Sequence, residues 1–186
     1  MNYKIIFVHG YTASPQADWY SNISRELKKL KIDFSIPLLP GGLYPKSKIW
    51  IDKICQEVKK TKKPIILVGH SLGSRVVLLF LEEYGSRVDK VILIAAFNNN
   101  PSNAQRKKGV YADFFDHEID LEKIKKLAKK FIVMHSKDDD SIPYNQGVEI
   151  ARQLGAKLIT YKDRSHFSDP ENYKYILEIL LEELEN

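Results

Sequence analysis

The stretch Pro64-Ile65-Ile66-Leu67-Val68-Gly69-His70-Ser71-Leu72-Gly73-Ser74-Arg75-Val76-Val77-Leu78-Leu79-Phe80-Leu81 decides how the chain reads. A proline introduces the unbroken apolar run Ile65 to Val68, the pattern of a parallel strand buried on both faces. The segment from Leu72 to Leu81 is apolar nearly all round, as expected of a buried helix. Between them stands a full G-x-S-x-G, Gly69-His70-Ser71-Leu72-Gly73. Glycines at this strand-to-helix turn let the two backbones approach and push the serine out at the edge of the sheet. There Oγ faces solvent at the foot of a helix whose first amides can stabilise negative charge.

Outward from this turn, strand-like runs alternate with segments of helical period. Lys4 to Val8, Lys90 to Ala95, Phe131 to Met134 and Lys157 to Tyr161 read as further strands, and Phe34 to Leu38 as a short extended piece. Residues 15–31 put Trp19, Ile23, Leu27 and Leu30 on one helical face, with Ser14-Pro15 as cap and first position. A second helix carries Ile51, Ile54, Cys55 and Val58 after a cap at Ser47, and a closing helix carries Tyr173, Ile176, Leu177, Leu180, Leu181 and Leu184. That last helix ends in Glu182, Glu183 and Glu185, the wrong sign for its dipole, and is expected to fray. The pattern predicts an α/β three-layer sandwich: about six mostly parallel strands with helices on both faces, in one domain spanning 1–186. The one long irregular connection, Phe97 to His117, is a lid candidate or simply a solvated loop.

The composition fits such a fold. Of 186 residues, 44% are hydrophobic and 28% charged, which excludes disorder and fibrous repeats. Lys and Arg exceed Asp and Glu by 29 to 24, but the lysines gather at the ends of helical segments, without basic–aromatic alternation. Nucleic acid is therefore not an expected partner. The single cysteine, Cys55, allows no intramolecular disulfide and lies on an apolar stripe. The apolar run near Met1 is too short for a signal-peptide core or a membrane span, so a cytoplasmic protein without membrane attachment is expected.

A serine hydroxyl needs a base to take its proton, and the base needs an orienting acid. In a sheet of this kind those partners follow in the order serine, acid, histidine, each in a loop after a later strand. Of five histidines only His166 follows the last strand, in Asp163-Arg164-Ser165-His166-Phe167. The loop after Phe131 to Met134 offers Asp138, Asp139 and Asp140, and the residues alone do not choose among them. No metal is expected: the aspartates lack calcium-loop spacing and the histidines form no ligand pair. Two backbone amides should face the developing alkoxide. Leu72 supplies one and Tyr11 the other, with Thr12 as the alternative.

Taken together, His9-Gly10, Gly69-His70-Ser71-Leu72-Gly73, Asp139-Asp140-Ser141-Ile142-Pro143 and Gly155…His166-Phe167 resemble an α/β-hydrolase. The short chain, Trp19 after the His-Gly loop and Trp50 resemble, in particular, the retinoblastoma-binding protein 9 family of small serine hydrolases. The resemblance implies a minimal α/β-hydrolase fold with no cap domain, lacking the first two strands of the full sheet. It also selects Asp139 as the acid, because Pro143 then completes the family's D-x-x-(V/I)-P. Ser165 departs from the glycine that often precedes the histidine, and Tyr11 is bulky enough to narrow the acyl site.

The expected activity is hydrolysis of small or short-acyl esters through a Ser71–His166–Asp139 triad and an acyl-enzyme, without a cofactor. Thioesters and amides share the chemistry. Trp19, Leu43 and Phe114 are expected to line the substrate pocket. Two rivals remain at this point. One is a hydrolase-fold module that binds a protein partner, marked by an exposed patch of Tyr111, Phe114 and Phe115. The other is a cysteine enzyme using Cys55.

Overall fold

The apolar strands Lys4–Val8 (β1), Ile65–His70 (β3) and Val88–Ile94 (β4) sit in the middle of one six-stranded sheet. The computed structural model describes residues 2–98 and 110–185. Asp33–Ser35 (β2) forms one edge, and Ala128–Ser136 (β5) and Lys157–Tyr161 (β6) complete the order β2-β1-β3-β4-β5-β6, with every pairing parallel. Side chains alternate strictly between the two faces. Ile6, Val8, Leu67, Leu93 and Val133 enter one core; Ile5, Phe7, Val68, Ile92 and Met134 enter the other. Both faces are apolar because helices cover both, which is why the strands read as unbroken runs.

Tyr20–Lys29 (α1) and Tyr173–Glu185 (α6) cover one face. Ser47–Lys59 (α2), Leu72–Tyr84 (α3), the short Leu121–Ile124 (α4) and Tyr144–Leu154 (α5) cover the other. The chain leaves β1 for β2 on one side and returns to β3 on the other, so the strand order reverses at β1. In open parallel sheets, the crevice at the C-terminal ends of the strands flanking such a reversal is where ligands bind. Here it lies between the ends of β1 and β3, beside His9 and Ser71. No helix among the described residues is long and apolar enough to cross a membrane.

Several local expectations change. The first helix begins at Tyr20, not at Pro15: the Ser14 hydroxyl accepts from Gln16 N (3.3 Å) and holds a turn, and Leu30 is half exposed beyond the buried stripe of Tyr20, Ile23 and Leu27. Only Asp33–Ser35 pairs as a strand within the extended 33–38 segment. Ser47 opens α2 instead of capping it, and its amide and hydroxyl both donate to Asp113 Oδ2, at 2.8 and 3.1 Å. The acidic end of α6 is not loose, because Glu183 is buried and its carboxylate pairs with Lys90 and Lys130. Burial alone would raise that carboxyl; the two lysines outweigh it and hold it below its ordinary value.

Part of the Phe97 to His117 connection, residues 99–109, lies outside the described residues, and the lid expectation falls largely there. Its ends are clasped by the buried Arg75 of α3. The guanidinium donates to the carbonyls of Phe114 (2.5 Å), Asn98 (2.5 Å) and His117 (2.8 Å) and lies 4.4 Å above the Phe115 ring. Tyr111 and Phe114 are buried, so they form no exposed aromatic patch. Cys55 is buried in the same core.

Candidate active site

Ser71 occupies the turn between β3 and α3 with φ 54° and ψ −123°, left-handed backbone that a residue with a β-carbon adopts at a cost. Its amide donates to Ile94 O (2.9 Å), tying the turn to the end of β4. The flanking glycines are required by space. A β-carbon on Gly69 would stand 2.6 Å from Ser74 Cα, and one on Gly73 would stand 2.0 Å from the Val8 carbonyl oxygen. The motif therefore locks β1, β3 and α3 together at one point and raises the serine above it.

His166 reaches this serine from the loop after β6. Its Nε2 lies 2.9 Å from Ser71 Oγ, and its Nδ1 lies 3.0 and 3.1 Å from the two oxygens of Asp139. Ser165 and Phe167, on either side, both have positive φ (44° and 58°), so the loop is sharply bent at the histidine. Asp138 secures that bend: its Oδ1 accepts from Ser165 N (2.9 Å) and from the Ser136 hydroxyl, which itself accepts from Arg164 N (2.9 Å). The adjacent aspartates thus divide the work. Asp139 faces the imidazole, while Asp138 holds the backbone that carries it.

Asp139 is buried and well furnished with donors. Ser141 N (2.9 Å) and Ile142 N (2.8 Å) donate to Oδ1, and His135 Nε2 stands 3.5 Å from Oδ2. Burial alone would raise its carboxyl; the contacts with His135 and His166 outweigh burial and hold it well below the usual carboxylate range. It stays anionic at neutral pH, as an orienting acid must.

Two further histidines support the loops. His9 donates from Nδ1 to Gly10 O (3.0 Å) and accepts at Nε2 from Leu39 N (3.1 Å), which fixes the exit of β1. His70 donates from Nε2 to the His166 carbonyl (2.8 Å) and so braces the histidine loop from below. Burial, and then the neighbouring His166, push His70 down to about 3, and burial lowers His9 as well. These groups fold in neutral form while the unfolded chain binds protons near 6.5, so stability is complete above about pH 6.5 and declines as pH falls from there toward 3. His70 alone should remove about 2 kcal/mol between pH 6.5 and 5. Urea unfolding across this range should show the loss, and His70→Gln, which keeps an N–H for the His166 carbonyl, should flatten it.

Between the β1 loop and the histidine loop lies a cleft of about 180 Å³ lined by Gly10, Tyr11, Thr12, Asp18, Ser71 and His166 among others. The amides of Tyr11 and Leu72 have no acceptor among the described residues. The pocket expected from Trp19, Leu43 and Phe114 is corrected at Trp19 and Phe114. Trp19 and Phe114 are fully buried in opposite cores, Trp19 against Phe7 and Tyr20 and Phe114 against Trp50, and neither has surface to offer a ligand. Leu43 is 60% exposed, and its carbonyl accepts from the Tyr11 hydroxyl (3.0 Å). Sequence reasoning missed Asp18, His70 and His135. The last stands four residues before Asp139, a spacing that could have flagged it.

Known proteins resemble this chain in sequence and in fold. The Serine hydrolase family profile matches residues 5–181. The chain is 28% identical over 175 residues to YdeN of Bacillus subtilis (strain 168), covering 93% of this chain and 90% of that one. It is 26% identical over 159 residues to Serine hydrolase RBBP9 of Rattus norvegicus, covering 85% and 82%. The crystal structure of the ydeN gene product superposes with a TM-score of 0.86 at 25% identity over the whole of both chains. Est1E from Butyrivibrio proteoclasticus shares the fold, with a TM-score of 0.74 at 17% identity over 99% of this chain and 88% of that one. A profile match over nearly the whole sequence, on an α/β-hydrolase sheet with no cap domain among the described residues, makes this chain a member of the Serine hydrolase family.

Proposed function

We propose that the protein hydrolyses small or short-acyl esters through a covalent acyl-enzyme on Ser71, with His166 as general base and acid and Asp139 as its orienting partner. The observation that carries this reading is the run of contacts from Ser71 Oγ through His166 to Asp139, at 2.9 Å and then 3.0 Å. Oγ attacks the ester carbonyl carbon as its proton passes to His166 Nε2. The alkoxide that forms is met by the amides of Leu72 and Tyr11. The carbon–oxygen bond to the alcohol breaks, the alcohol leaves with the proton from Nε2, and the acyl group remains on Oγ. Water then attacks the acyl carbon, gives its proton to His166, and the acid departs as Oγ recovers that proton. Thioesters and amides would pass through the same steps.

The small volume of the cleft beside Ser71 supports a short acyl chain. Rapid mixing with p-nitrophenyl esters tests both parts. The expected result is a burst of nitrophenol equivalent to the protein present, with kcat/KM higher for acetate and butyrate than for octanoate. Absence of turnover with every ester on folded protein overturns the hydrolase reading, and a preference for octanoate overturns the short-acyl part.

A further inference from the structure

Asp18 has no part in the chemistry above, yet it lines the same cleft as Ser71 and His166. It is half-buried in the turn leading into α1, and no hydrogen bond or ion pair to its carboxylate is found among the described residues. Other acids withdrawn from water are matched: the partly buried Asp33 with Lys4 and Lys63, the buried Glu183 with Lys90 and Lys130. A carboxylate withdrawn from water without a partner is costly, and none of the described Lys and Arg residues supplies one here. Burial raises the Asp18 carboxyl, and His166 partly offsets the rise.

The backbone carries a second mark. Asp18 has φ 48°, left-handed geometry that aspartate adopts more readily than most residues and that fixes the course of the turn at the cleft. The turn therefore holds a lone carboxylate toward the reaction centre. It is not needed as the base, because His166 already contacts Ser71 and Asp139 already orients His166. What it lacks among the described residues is a cation. On the other side of His166, a cavity is lined by Asp140, Asp163, Asp169 and Glu171 with Arg164; Arg164 pairs with Asp163 and Lys174 with Glu171, leaving Asp140 and Asp169 without an ion pair among the described residues.

Resting on the serine-hydrolase reading, we propose that Asp18 is a specificity-determining residue that receives a positively charged nitrogen of the substrate, making ammonium-bearing esters or amides the favoured class. A substrate ammonium would satisfy the carboxylate that the described residues leave unpaired. A carboxylate-bearing substrate would be repelled by it.

The test uses two isosteric pairs. The p-nitrophenyl esters of β-alanine and butyric acid place the charge on the acyl side, and butyrylcholine with its uncharged dimethylbutyl counterpart places it on the alcohol side. In the wild type, kcat/KM should favour the charged member of at least one pair by about tenfold, as a charged hydrogen bond or ion pair provides. Added salt should shrink that ratio. In Asp18→Asn the ratio should fall to near one, with the loss in the KM of the charged ester. Asparagine tolerates left-handed backbone, so this variant keeps the turn. A wild-type ratio near one in both pairs, or a ratio unchanged in Asp18→Asn, overturns the inference. Labelling of Ser71 by a fluorophosphonate separates the two failures: a labelled serine without charge preference removes only the role of Asp18, whereas an unlabelled serine removes the reading on which it rests.

Discussion

Asp139→Asn should lower kcat for ester hydrolysis by about 10⁴ while leaving the fold intact. The asparagine oxygen can still accept from Ser141 N and Ile142 N, as Oδ1 does now. Its amide then turns toward His166 Nδ1, where the carboxylate stood at 3.0 Å. An amide donates, so Nδ1 must accept, and the imidazole proton moves to Nε2. A protonated Nε2 cannot take the proton of Ser71 Oγ. Asp138→Asn should behave differently: its oxygen can still accept from Ser165 N and Ser136 Oγ, so the loop stays bent, and the loss should stay within about tenfold. Steady-state kinetics on both variants decide between them. A large loss from Asp138→Asn with a small one from Asp139→Asn would contradict the division of roles between these neighbours.

Ser71→Ala should have the largest effect of all, a loss of about 10⁵–10⁶ in kcat, because no other group among the described residues stands within bonding distance of His166 Nε2. The backbone contact of residue 71 with Ile94 O does not involve the hydroxyl, so the turn survives. The variant should unfold at a temperature close to that of the wild type. A residual rate from the oxyanion amides and binding alone is expected, well below that of the wild type.

The features legible in the sequence were those written in local patterns. Ile65 to Leu81 announces a buried strand, a tight turn and a buried helix because each rests on spacing and residue size, and the structure has these elements there. Helix α1 was harder, since Ser14-Pro15 serves a turn as well as a cap, and only the packing of Trp19 and Tyr20 against Phe7 fixes where the helix begins. The same packing explains why Trp19 and Phe114 read wrongly as pocket residues. Large aromatics near functional loops are as often what holds the loops in place, and both are spent on core volume. The choice among three adjacent aspartates depends on the angle at which the chain leaves β5, and spacing encodes that only through a family pattern. Asp18 left no trace in the sequence: its mark is a carboxylate without a partner among the described residues, which exists only once the chain is folded.

The central claim is that Ser71 is activated by His166 in the free protein. Intact mass after treatment with a fluorophosphonate, on the wild type and on Ser71→Ala, tests it most directly. The account predicts one adduct per wild-type chain and none on the variant. A folded wild type that takes no adduct, or a variant that takes the same adduct, would contradict it.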